Sequence, residues 1–249
     1  MTYSNPTCAV LLIGNELLSG RTEDANLNYI AKKMSANGIR LKECRVVEDD
    51  FNDIISALNE LRQKYTYVFT TGGIGPTHDD ITVEAIARTF GVSVYRDENV
   101  VKDFYEHYGD KVNENMLKMA CFPEGACLIK NKISVAPGFA KENVYSFAGI
   151  PVVMQSMLDA VIPSLEKGKG VISKSIHSLA RESLISDAFE EIQNEHSDLD
   201  LGSYPAVNSQ EGGTTLVVSG TDEADVKIAF EKVVSMIKEM NIEIIEIVE

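Results

Sequence analysis

The chain has 249 residues, 44% of them hydrophobic, and a formal charge of −15, a balance that suits one large or two smaller globular domains with a real core. That charge excludes nucleic acid as the expected partner, because phosphates must be neutralised by Lys and Arg; residues 166–249 are the most acidic, with 7 basic and 17 acidic side chains. The first apolar run, Cys8 to Ile13, is too short to span a membrane and lacks a basic flank, so the expectation is a cytoplasmic protein without a membrane partner.

Residues 8–14 read as a buried strand. Leu27, Ile30, Ala31 and Met34 then recur at helical spacing before Gly38, a natural terminator. Ile39 to Val47 returns to an extended pattern, and Asp50 or Asn52 can cap a helix carrying Ile55, Leu58 and Leu61 on its apolar face. Tyr67 to Thr71 is the next strand. Strand, helix, strand, helix, strand predicts an α/β fold with a mostly parallel sheet, whose ligands gather at the carboxyl ends of the strands.

Beyond this, Ile81, Ala85 and Ile86 mark a helix closed by Gly91, and Asn99 to Met119 reads as two helices broken near Gly109. Short strands are expected near Ala126–Ile129 and Val144–Ala148, then a helix from about Val152 to Leu165. Glu166-Lys167-Gly168-Lys169-Gly170 reads as a linker between a first domain, 1–166, and a second, 171–249. The second reads as strand 171–178, helix 181–195, strands 199–205 and 213–219, helix 222–239 and strand 242–248. That order, βαββαβ, is the ferredoxin-like arrangement. RNA-binding modules share it, but Thr214 to Ser219 carries no aromatic side chain for base stacking, so a structural or dimer-forming use is expected.

The chemistry concentrates at the strand ends. Thr71-Gly72-Gly73-Ile74-Gly75-Pro76-Thr77-His78-Asp79-Asp80 follows an apolar strand, and glycines there let backbone amides approach a phosphate. Two aspartates beside a phosphate repel it unless a hard divalent cation such as Mg²⁺ lies between them. One of the pair is expected to cap the next helix and the other to hold the ion, in an unassigned order. No lysine follows the glycines, so this is not a Walker motif, and the spacing is not that of a Rossmann fingerprint.

Gly14-Asn15-Glu16 at the first strand's end, with Asp24 and Asn26, extends the same rim, although Asp24 is equally suited to capping a helix. Glu48-Asp49-Asp50 places three carboxylates after another strand, where Asp49 and Asp80 can clamp one ion. Ala136-Pro137-Gly138-Phe139 and Ala148-Gly149-Ile150-Pro151 read as tight turns able to close over a flat ligand, with Asn131 and Ser134 as hydrogen-bonding candidates nearby. His78 is the one histidine beside the glycine loop and a candidate proton shuttle. The four cysteines show no C-x-x-C pair and read as reduced thiols.

Taken in order, G-N-E-L-L-S-G at 14–20, D-A-N at 24–26, E-D-D at 48–50, T-T-G-G-I-G-P-T-H-D-D-I-T at 70–82, P-E-G-A at 123–126, A-P-G-F at 136–139 and G-I-P at 149–151 resemble the molybdopterin-binding fold of MoaB and Mog. The resemblance is strongest to the N-terminal domain of the competence/damage-inducible protein A (CinA) family and the similar half of eukaryotic FAD synthase. It implies a three-layer αβα domain, a homo-oligomer, and a nucleotide or pterin phosphate as partner. It further implies a divalent metal, Mg²⁺, Mn²⁺ or Co²⁺, and either pyrophosphatase action on ADP-ribose or FAD or adenylyl transfer to molybdopterin. Glu16, Asp49 and Asp80 match the family's acidic positions and are the catalytic candidates, with Asp49, Asp79 and Asp80 as metal candidates. Gly14, Asp24, Asn26, Thr71, Gly72, Gly73, Gly75, Thr77, Ser134, Pro137, Gly138, Gly149 and Pro151 are the substrate-binding candidates. Ala148 stands where the family usually has proline, which implies a looser second turn.

Overall fold

The computed structural model describes residues 5–205 and 212–248 and divides into two compact units, Met1–Gly168 and Lys169–Glu249. The first opens with β1 (Thr7–Ile13), whose continuous apolar run leaves six of seven residues buried, as expected for a parallel strand covered on both faces. A single helical turn, α1 (Asn15–Leu18), follows at once, then α2 (Asn26–Ala36), β2 (Arg40–Val47), α3 (Phe51–Lys64) and β3 (Tyr67–Thr71). Asp50 is the cap of α3, accepting from the amides of Asn52 and Asp53. Such a cap contributes about 1 kcal/mol.

The chain continues through α4 (Thr82–Phe90), β4 (Val94–Arg96), α5 (Glu98–Tyr108), a 3₁₀ turn at Gly109–Lys111, α6 (Glu114–Lys118), β5 (Cys121–Pro123), β6 (Cys127–Ile129), β7 (Gly138–Lys141), β8 (Val144–Phe147) and α7 (Pro151–Val161). The main sheet has the order β2-β1-β3-β8-β7-β6, with β2, β1, β3 and β8 parallel and the last two joints antiparallel. β4 and β5 form a separate two-stranded ribbon.

Alternation along β1 sorts the two cores. Ala9, Leu11 and Ile13 face Ile54, Leu58 and Ile86 of α3 and α4, while Cys8, Val10 and Leu12 face Ile30, Met34, Met154 and Met157 of α2 and α7. The result is helix, sheet, helix. Burial drives the Cys8 thiol up to about 12, so it behaves as a small apolar side chain.

The second unit comprises β9 (Ile172–Ser178), α8 (Glu182–Glu195), β10 (Asp200–Pro205), β11 (Thr214–Gly220), α9 (Glu223–Glu239) and β12 (Ile244–Val248). Its antiparallel sheet has the order β10-β11-β9-β12, the ferredoxin-like topology. Its own core joins Ile176, Leu216 and Val218 to Val226, Phe230 and Val233.

Three short strands, β4, β5 and β7, and the turn α1 lie outside the expected elements. The segment around Gly138, expected as a tight turn at a strand's end, instead opens β7, with Gly138 buried. The helix expected to reach Leu165 stops at Val161 and tightens into a 3₁₀ turn at Ile162–Ser164, where Pro163 cannot extend an α-helical ladder.

Candidate functional site at the sheet rim

β1, β3 and β8 run parallel and end together, and the segments leaving them enclose a cavity of ≈ 390 Å³. Its wall includes Glu16, Gly72, Gly73, Gly75, Thr77, Asp80, Ser134, Pro137 and Gly149 among the sequence candidates. The glycine loop is held from both sides. Gly72 N–H donates to the Phe147 carbonyl, Thr82 Oγ1 donates to the Gly72 carbonyl at 3.0 Å, and Thr82 N–H donates to the Gly73 carbonyl. Gly72 has φ +98°, and a Cβ there would run into the Ile13 carbonyl, so only glycine lets β3 end this close to β1. The amides of Gly73, Ile74 and Gly75 make no hydrogen bond to another described residue. Consecutive free amides in a glycine turn form a concavity suited to an oxyanion.

The acidic groups surround this cradle. The Glu16 carboxylate folds over Gly14, where an added Cβ would lie 2.7 Å from its oxygens. Asp80 likewise lies over Gly75, and its Oδ2 accepts from both the amide (2.7 Å) and the hydroxyl of Thr77. That hydroxyl proton goes to Asp80; its closeness, with Asp79's own amide, also holds Asp79 below the usual carboxylate range. Asp49 accepts from the Asn15 amide at 2.9 Å. Burial pushes the Asp49 carboxyl up, the Asn15 amide works against this, and the negative charges of Glu16, Asp79 and Asp80 push it further. Side chains from positions 16, 49, 79 and 80 therefore share one electrostatic neighbourhood.

That neighbourhood fits a hard cation by its donor chemistry, since every donor is a carboxylate oxygen and one is already strained by its neighbours' charge. Among the described residues no three such groups converge to hold an ion by side chains alone. The fit is to a Mg²⁺-like ion, which keeps waters and uses one or two carboxylates together with substrate phosphates.

The expected capping of α4 is corrected, and the other candidates fall as follows. Neither aspartate caps α4: its N-cap is Ile81, without a side-chain bond, and Asp80 turns back to Thr77. Asp24 serves as a cap, accepting from the amides of Asn26 and Leu27. Asn26 is buried and donates to the Gly149 carbonyl at 2.9 Å, tying α2 to the second turn rather than lining the cavity. Thr71 is enclosed within β3, and Pro151 starts α7 at its first position. Asn131 and Ser134 bond within their own loop, Asn131 Oδ1 accepting from the amides of Ile133 and Ser134 and Ser134 Oγ from that of Ala136, while Ser134 also lines the cavity. The His78 side chain stands 96% exposed, 3.9 Å from Asp79, and is not part of the wall.

Sequence reasoning missed the apolar wall, formed in part by Met119, Val153 and Met157. Val153 and Met157 are four residues apart on α7, and that helical spacing directly after the Gly149 turn was the available signal.

In open α/β sheets ligands bind in the crevice outside the carboxyl ends of the strands, which is where the glycine loop and its cavity lie. Residues 9–167 match the family described as probable molybdopterin binding domain. The chain belongs to that family, in its CinA-like branch. Residues 170–245 match the family described as FAD synthase, middle domain. A protein of Archaeoglobus fulgidus is 31% identical over 90% of this chain and 94% of its own length. A CinA-like protein of Syntrophus aciditrophicus is 40% identical over 63% of this chain, which spans only 39% of that relative. The crystal structure of the protein CinA, of unknown function, from Thermoplasma acidophilum is 30% identical with a TM-score of 0.60, covering 65% of this chain and 98% of that one.

Proposed function

We propose that the first unit is a metal-dependent hydrolase of a nucleotide phosphoanhydride such as that of ADP-ribose or FAD. One observation carries this reading: free amides of the glycine loop and the carboxylates of Glu16 and Asp80 line one cavity, with Asp49 close enough to feel their charge. The amides of Gly73, Ile74 and Gly75 would bind a phosphate oxygen and stabilise the charge that grows on it. Asp49, with Asp79 or Asp80, would hold Mg²⁺, Mn²⁺ or Co²⁺, which supplies charge neutralisation for the phosphates when bound. Glu16 would orient a water and take its proton as the water oxygen bonds to phosphorus. The bridging P–O bond then breaks and AMP leaves as one product. Met119, Val153 and Met157 give the cavity an apolar side against which a base could pack.

The family description supports a second reading, adenylyl transfer from ATP to molybdopterin, or pterin binding without turnover. Incubation with each metal and, in separate reactions, ADP-ribose, FAD, or ATP with and without molybdopterin separates them. AMP release without pterin supports hydrolysis; pyrophosphate release from ATP only when molybdopterin is present supports transfer; metal-dependent binding without product supports a binder. Assembly into a homo-oligomer belongs to the same proposal, and sedimentation of the intact chain checks it.

A further inference from the structure

We propose that a groove outside the glycine-loop cavity is a separate binding site for a small molecule that carries a phosphate on an apolar ring, and that its occupancy fixes the loop bordering that cavity. The groove, of ≈ 680 Å³, lies between α7, the start of α2 and the loop after β6, and it shares no lining residue with the glycine-loop cavity. Its volume falls within the roughly 300–1,000 Å³ of small-molecule sites. The inference goes beyond the hydrolase reading and does not draw on it.

Helix α7 builds one wall. Val152, Gln155, Ser156 and Asp159 recur at helical spacing and form a stripe on the groove side, while Val153 and Met157, one position further round, line the glycine-loop cavity. The loop is divided in the same way, Lys130 to Ile133 lining the groove and Ser134 to Pro137 bordering the cavity. At the boundary the Lys132 amide donates to Ser156 Oγ at 3.1 Å, which holds the loop against the helix.

Charge selects the ligand. In a chain of net charge −15 this groove is positive. Its single carboxylate, Asp159, is already satisfied, with Oδ1 paired to Lys33 at 2.8 Å and Oδ2 accepting from the Tyr29 hydroxyl at 2.9 Å. Lys130 and Lys132 make no ion pair with a described residue, and the Gln155 side chain makes no hydrogen bond with one. Two unpaired ammonium groups match the two charges of a phosphate monoester, and the Gln155 amide adds a neutral donor. Beside them Ile133 and Val152 stand 59% and 58% exposed. Bare phosphate would leave that apolar surface wet, whereas a phosphorylated ring covers it. The bound phosphate draws both lysines in over α7, and the loop as far as Pro137 loses freedom with them.

Pyridoxal 5′-phosphate tests the assignment in the full chain, because its aldehyde condenses with a lysine amine and borohydride reduces the imine to an adduct that peptide mapping locates. At limiting reagent, Lys130 and Lys132 are expected to be labelled about tenfold more than the other lysines, a preference equivalent to about 1.4 kcal/mol. Pyridoxal, which lacks the phosphate, is expected to show no such preference. The V152D variant, altered at an exposed position, is expected to lose the preference while keeping its melting temperature. In the wild type, the reversible complex is expected to slow amide exchange at residues 130–137. Labelling that follows exposure alone, an equal preference with pyridoxal, or an unchanged preference in V152D would overturn the site. Unchanged exchange at residues 130–137 would overturn its hold on the loop, and protection of Lys132 by AMP with Mg²⁺ would overturn its separation from the glycine-loop cavity. None of these readouts uses turnover, so a chain that releases no AMP from any dinucleotide loses the hydrolase reading and keeps the groove.

Discussion

Thr77 decides what Asp80 is able to do, because its amide and hydroxyl both donate to the same carboxylate oxygen. Replacing Asp80 with Asn keeps an acceptor for the amide and removes the charge. D80N is therefore expected to fold with an unchanged melting temperature and to lose turnover by at least about 100-fold, a change in kcat rather than KM. Asp49 behaves differently, since its pKa is raised on folding. The folded chain then binds more protons than the unfolded one, so stability falls as pH rises from the ordinary value of 3.8 through the raised value. D49N should remove that loss and raise stability at pH 7, while eliminating activity; chemical denaturation at pH 4 and pH 7 checks the sign. The identity of these acids was legible in the sequence because each follows a strand in a short motif. Their bonding was not: Thr77 and Asp80 are three residues apart, a spacing equally consistent with a phosphate contact or an internal turn.

At the level of elements, β3 ends against β1 only because Gly72 occupies φ +98° with no side chain. G72A forces a carbon onto the Ile13 carbonyl and should cost about 3 kcal/mol or more, seen as a lowered denaturation midpoint with unchanged slope. β2, the sheet's edge, is anchored to the end of α3 by Glu43, which bonds Lys64, Tyr65 and Arg45. The Lys64, Tyr65 and Arg45 bonds, in that order of effect, hold Glu43 down at about 2, against an ordinary 4.5. Its contribution is complete above pH 4.5 and is lost as pH falls through about 2. Because the group is partly solvated, E43Q should cost only about 1 kcal/mol at pH 7, with a flatter acid limb in the stability curve. The long elements were legible from period and punctuation, with Gly38 and Gly91 ending helices where expected. β4, β5 and β7 have three or four residues each, too few for a repeat to declare itself; β4 and β5 form by pairing with each other across a long stretch of chain, and β7 by pairing with its neighbours β6 and β8.

For the whole molecule, the prediction concerns where a ligand acts. Each unit has its own apolar core, and the cavity, the cradle and the acidic groups all belong to residues 1–168. AMP with Mg²⁺ at about 100 times its Kd should stabilise the native state by about 2.7 kcal/mol. Hydrogen exchange is expected to slow at residues 70–82, with no change in β9 to β12. The order of the longer strands and helices in both units could be read from the sequence, because hydrophobic period changes at glycine and proline boundaries. The convergence of the rim followed from parallel topology alone.

The donors of the glycine cradle belong to the main chain, and no exchange of side chain can delete an amide short of introducing proline. Mutational escape from an inhibitor that mimics a phosphate would therefore have little purchase on the loop itself. Drift in ligand preference should accumulate instead at wall positions such as Met119, which can be resculpted while the anchoring point stays put.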